Sequence, residues 1–260
     1  MSQVSSFDDG ATGGQRLLAE FLGSAGLVAV VVGSGIMAER LAGGNVAIAL
    51  LANSLATGAG LVALILAFAG ISGAHFNPLV TLALAVRGAC PWPRVPGYVL
   101  AQIAGGLVGV VVANLMFDHA AWEISGKIRT GGGQWLSESV ATCGLLLVIH
   151  GASKHFSAWT PFAVACYVTA GYWFTASTCV ANPAVAIARA WTDSFSGIRP
   201  VDVPPFLLAE IVGCLAALAV MRALDPKSAG RRDGDARASA ELVGAQTPAE
   251  LALGAPRVHP

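Results

Sequence analysis

His75-Phe76-Asn77-Pro78-Leu79-Val80-Thr81 and its partner Ala181-Asn182-Pro183-Ala184-Val185 decide how this chain folds. Each places Asn-Pro at the end of a long apolar segment and before a short apolar run. Asn is a favoured helix N-cap, and Pro is favoured at the first helical position, where its missing N–H would be unpaired anyway. Both copies therefore read as helix starts, with Asn77 and Pro78 opening one helix and Asn182 and Pro183 the other. The runs that follow, 80–86 and 185–190, are too short to cross a bilayer. Two short helices of this kind inside an apolar chain predict half-helices that meet end to end. A lone Asn-Pro would be read as a turn; two in matching contexts favour the paired reading.

Working outward, the chain has 260 residues, of which 55% are hydrophobic and only 12% charged, with mean hydropathy +0.67. Soluble domains carry about 25% charge. Runs near twenty residues almost free of charge mark an integral membrane protein. The 31 glycines favour close packing between helices. Zero net charge gives no footprint for nucleic acid. The five cysteines lack metal-ligand spacing and read as buried thiols, so no metal or cofactor is expected. The N-terminus lacks the features of a removable signal peptide.

Six spans are expected: roughly 17–32, 46–68, 98–117, 136–149, 161–180 and 206–224, with the half-helices after the second and fifth. Residues 1–14 read as a mobile N-terminal tail and 225–260 as a disordered tail. Between them, 15–224 divides into repeat one, 15–117, and repeat two, 135–224. Ala19-Glu20-Phe21-Leu22-Gly23 matches Ser137-Glu138-Ser139-Val140-Ala141, and Ala101-Gln102-Ile103-Ala104-Gly105 matches Ala209-Glu210-Ile211-Val212-Gly213. Three spans per half invert the second half relative to the first. The half-helix tips then face each other near the midplane. The fold class is an all-α membrane protein of six transmembrane helices plus two half-helices in an inverted repeat.

Lys and Arg bias favours both termini on the cytoplasmic side, with Arg16, Arg87, Arg94, Lys154 and the tail's basic residues there and Arg40, Lys127, Arg129 and Arg199 opposite. Each helix tip carries unpaired N–H groups and about half a positive charge. Opposed tips repel cations, while the Asn77 and Asn182 amides are expected to donate hydrogen bonds into the lumen. Glu20 and Glu138 are costly charges at equivalent repeat positions. Both are read as loop-bracing acceptors that hold the backbone ahead of each half-helix. Gln102 and Glu210 buttress the same loops or are ordinary span residues. His75, a lone histidine, reads as lining or packing beside the pore and bracing its loop rather than as catalytic.

These residues resemble the aquaporin, or major intrinsic protein, family over about Gln15–Leu224, with Ser72-Gly73-Ala74-His75-Phe76-Asn77-Pro78 and Val80-Thr81 as the specific signature. The resemblance implies a right-handed bundle with one pore per subunit, assembled as a homotetramer in a bacterial inner membrane. It departs in two places. Leu79 stands where the first motif usually ends in Ala, as Ala184 does in the second, and Val185 stands where the family usually has a pore-lining Arg. By offset from the motifs, the family's selectivity filter maps onto Thr57, Ala170, Cys179 and Val185. All four are small and uncharged, which predicts a wide, weakly polar opening. Arg189, two turns past Asn182, reads as a helix-end surface or loop-bracing arginine too far out to replace the missing one. Such a filter suits water and uncharged solutes such as glycerol, urea and neutral metalloid acids. The residues 182–190 with Phe195-Ser196-Gly197-Ile198 look like a bacterial aquaglyceroporin subgroup associated with arsenic resistance, which implies arsenite or methylated-arsenical passage. Cys179 is either a mercurial target or simply a small lining residue.

The expected function is a passive channel and not an enzyme: no Ser/His/Asp, HExxH or paired-carboxylate spacing is present. The rivals are a water-selective channel with an altered filter and an ion-coupled secondary transporter, which needs ionisable groups at the midplane.

Overall fold

The computed structural model describes residues 10–225, so the expected tails fall outside the described residues apart from their inner edges. The described residues up to Met221 form one compact unit. Among the described residues the regular structure is helical: α1 (Gly13–Leu41), α2 (Val46–Ser72), α3 (Pro78–Val86), α4 (Val95–Met116), α5 (Gly132–His155), α6 (Thr160–Phe174), α7 (Pro183–Ala188) and α8 (Val203–Leu224). Five of them, α1, α2, α4, α5 and α8, are long and apolar enough to cross a membrane. The fifth expected span, 161–180, is shorter than anticipated. Instead of reaching residue 180, α6 ends at Phe174, where Thr175 takes an extended conformation. Its 15 residues span about 22 Å at 1.5 Å per residue, and a 3-10 turn over Ser157–Trp159 leads into it.

Helix starts follow local chemistry. Thr12 and Gln15 form a capping box at α1, and Asn45 caps α2. At α3 and α7 the cap is Asn77 and Asn182, each followed by Pro at the first helical position. Both short helices are where the sequence puts them.

The repeat is visible in the packing. A Cβ added at Gly105 of α4 would lie 2.2 Å from the Phe21 carbonyl oxygen of α1, and one at Gly213 of α8 would lie 2.3 Å from the Ser139 oxygen of α5. In each half the first and last helices thus touch backbone to backbone, an approach that only glycine permits. Ser139 Oγ also donates to the Ala209 carbonyl at 2.8 Å. The main apolar core gathers residues of α1, α2, α4, α5, α6, α7 and α8 around Val32, Val110, Ala186, Ile198 and Phe206. Large apolar side chains such as Leu55, Leu66, Leu100, Leu208 and Leu215 remain exposed. In water that amount of surface is a liability; in lipid it is the expected coat.

Candidate functional site

The site begins with two loops, residues 73–77 and 178–182, that no helix can hold. Ala74 and Phe76 have left-handed φ of 49° and 48°, and Cys179 and Ala181 have 55° and 46°. These are the same two places, three and one residues before each Asn. Non-glycine residues in this region cost of order 1–3 kcal/mol each and persist only where the surroundings force them.

Buried carboxylates supply the force. Glu20 Oε1 accepts from the His75 amide at 2.9 Å and from Ser72 Oγ at 2.6 Å; its Oε2 accepts from the Phe76 amide at 2.8 Å and from Gln102 Nε2 at 2.8 Å. Glu138 accepts from the Val180 amide at 3.0 Å and the Ala181 amide at 2.8 Å. The amides one and two residues before each Asn are therefore caught by a carboxylate in both halves. Glu210 accepts from the Asn182 amide at 3.0 Å. Glu20, Glu138, Gln102 and Glu210 are all fully buried. His75 Nδ1 lies 3.0 Å from Thr81 Oγ1 and its ring meets Tyr98 edge-on at 5.2 Å, tying the first loop to the first turn of α3.

Each asparagine does two jobs. Asn77 Oδ1 accepts from the Leu79 amide at 2.9 Å, and Asn182 Oδ1 from the Ala184 amide at 3.0 Å. Asn77 Nδ2 donates to the Ala181 carbonyl at 2.7 Å, and Asn182 Nδ2 donates to the Phe76 carbonyl at 2.8 Å. The two half-helix tips are stitched together reciprocally. This corrects one expectation: the amides are not wholly free, since one N–H of each is spent on the opposite loop, which leaves one per asparagine. Pro78, Leu79, Pro183 and Ala184 are buried around this junction.

Of the four residues matched to a filter, Thr57, Cys179 and Val185 are buried, while Ala170 is exposed on the outward face of α6. Ala170 is thus not brought to the others. The offset was counted back through 175–181, whose turn and left-handed residues do not keep helical phase. The residue that does face inward is Tyr172: it is buried and its hydroxyl lies 3.0 Å from Thr57 Oγ1. Cys179 packs against Gly171, where an added Cβ would lie 2.6 Å from its sulfur.

Arg189 is only 3% exposed, with Nε donating to the Ser196 carbonyl. It braces the loop after α7, as one of its expected roles had it, but it is not on the surface. Arg129, from the connection between α4 and α5, donates from Nε to the Gly197 carbonyl at 2.8 Å and from Nη2 to the Phe195 carbonyl at 3.2 Å. Its amide donates to Asp202 Oδ2 at 2.9 Å, which Arg199 also engages, at 3.2 Å. Burial opposes ionisation of Asp202, but these hydrogen bonds and the Arg199 charge outweigh it and hold its pKa below the ordinary value. Among the described residues no cluster of His, Cys, Asp or Glu is placed to hold a metal ion.

Comparison with known proteins matches this architecture. Residues 11–178 fit the family described as Major intrinsic protein. The chain is 50% identical over 208 residues to a Rhizobium meliloti protein named Aquaglyceroporin AqpS, covering 80% of this chain and 89% of that one. It is 34% identical over 152 residues to a probable glycerol uptake facilitator protein of Thermotoga maritima, covering 52% and 62%. The fold superposes on the X-ray structure of the aquaglyceroporin from Plasmodium falciparum with TM-score 0.66 at 21% identity, covering 85% of this chain and 99% of that one.

Proposed function

Because the chain belongs to the major intrinsic protein family, we propose that it is a passive transmembrane channel whose solutes are small and uncharged: glycerol-type polyols, urea, neutral metalloid acids such as arsenous acid, and water. The observation that carries this reading is the reciprocal pair of bonds between Asn77 and Ala181 and between Asn182 and Phe76. They fix two opposed helix N-termini tip to tip, so the partial positive charges of both converge on one point. A cation approaching that point meets a barrier, whereas a neutral hydroxylated solute can accept from the remaining asparagine N–H. The filter on this reading is Thr57, Tyr172, Cys179 and Val185. The protein is a multi-pass membrane protein; both termini face the cytoplasm of a bacterial inner membrane, and four copies assemble with one pore each.

Stopped-flow light scattering on proteoliposomes tests the reading. Glycerol, urea and arsenous acid should each equilibrate faster than in protein-free vesicles, without saturation and without a pH gradient. Saturable, proton-dependent uptake would overturn it in favour of an ion-coupled transporter. If Cys179 lines the path, mercurials should block flux and Cys179→Ser should abolish the block.

A further inference from the structure

Two guanidinium groups converge on one loop at the far end of α7. Arg189 reaches the Ser196 carbonyl, and Arg129 reaches the carbonyls on either side, Phe195 and Gly197. Arg189 lies four residues past Val185 on the same helix face. Side chains on a helix lean toward its N-terminus, so Arg189 leans back over the position where Val185 leaves the family's arginine missing. Both guanidiniums lie within electrostatic reach of Tyr172, whose hydroxyl is paired with Thr57. Neither Nη atom of Arg189, nor Nη1 of Arg129, has a protein acceptor among the described residues, and none is among the buried side-chain atoms shut off from water. No carboxylate lies within salt-bridge distance of either group among the described residues. Asp202 holds the Arg129 backbone amide, not its side chain.

We propose that Arg189 and Arg129 together are the specificity-determining residues of the outer constriction: from a later turn of α7 and from the 118–134 connection they supply the positive charge that position 185 lacks. Their unpaired Nη–H groups donate to the hydroxyl oxygens of a neutral solute, and their charge, which no carboxylate meets within salt-bridge distance, excludes cations. The small side chain of Val185 leaves room beneath them. This inference rests on the channel reading above.

The experiment compares the native protein, Arg129→Gln, Arg189→Gln, the double variant, and the double variant carrying Val185→Arg, all in proteoliposomes. Glycerol flux and sodium and potassium leak are read side by side on every sample. The native protein should pass glycerol with cation leak at the protein-free level. In the double variant the discrimination among glycerol, urea and arsenous acid should change and cation leak should rise by about tenfold or more, and Val185→Arg should return the leak to background. A merely structural role for the two arginines would not give that rescue. A double variant that passes glycerol and still excludes cations overturns the proposal while the channel reading stands. Native protein that passes no neutral solute removes both. Should Arg189→Gln or the double variant fail to fold, Arg129→Gln decides alone: unchanged leak and unchanged discrimination among glycerol, urea and arsenous acid overturn the proposal.

Discussion

At the scale of single residues, the most informative contrast is between Gln102 and Glu210. They close the two halves at matching positions. Gln102 donates from Nε2 to Glu20, whereas Glu210 accepts from the Asn182 amide through Oε1 and leaves its buried Oε2 without a hydrogen-bond partner. Glu210→Gln keeps a carbonyl oxygen to accept the Asn182 amide and should leave solute flux and the thermal midpoint in detergent nearly unchanged. Glu138→Gln replaces the acceptor of two strained-loop amides, and hydrogen bonds to a charged group are worth about 1.5–3 kcal/mol each. Its thermal midpoint should fall clearly. Equal loss in both variants would contradict the larger bracing role of Glu138, which holds two loop amides against one for Glu210. Glu20 and Glu138 were legible in the sequence because a carboxylate in an apolar run is conspicuous. Tyr172 was not, because residue counting fails across an irregular loop. Arg129 was not, because a charged residue in a long connection reads as solvated, and nothing local foretells three carbonyls waiting for guanidiniums.

At the scale of elements, the two half-helices and most spans were readable from capping chemistry and apolar length alone. What was not readable was the end of α6, since residues 175–180 are apolar enough to prolong a span that the Glu138 contacts pull out of helix. The glycine seams were equally hidden, because Gly105 and Gly213 look like any of the other glycines. Gly105→Ala and Gly213→Ala each force a methyl against a carbonyl oxygen. Each should destabilise by about 1–3 kcal/mol, the usual cost of overpacking, measured as thermal midpoint in detergent. An effect in one half only would contradict the equivalence of the seams. The clamp of Asp202 on the 118–134 connection has a pH signature. A carboxylate whose folded pKa is depressed contributes stability above its unfolded pKa, near 4, and loses it as pH falls through the lower folded value. Amide protection in 118–134, taken relative to the intrinsic exchange rate at each pH, should be flat from neutrality to about pH 4 and fall below it. In Asp202→Asn that fall should be absent and protection lower throughout.

For the whole molecule, composition decides the class and the inverted repeat decides the architecture. Orientation rests on charge bias: among the described residues the proposed topology puts Arg16, Arg87, Arg94, Lys154 and Arg222 on one side and Arg40, Lys127, Arg129 and Arg199 on the other. Labelling settles it. In a cysteine-free background, Ala120→Cys should react with a membrane-impermeant maleimide on intact cells, and Ala89→Cys only after the membrane is opened. The reverse pattern would turn the protein over.

The crossed bonds between the tips also bear on biogenesis. The partners are 104 and 106 residues apart, so the first half leaves the ribosome long before anything exists to satisfy it. Until translation delivers the second half, the Phe76 carbonyl and the Asn77 amide are unmet inside the bilayer, where that is most expensive. A truncated chain therefore displays its own incompleteness to membrane quality control, and two separately synthesised halves should become stable only in each other's company.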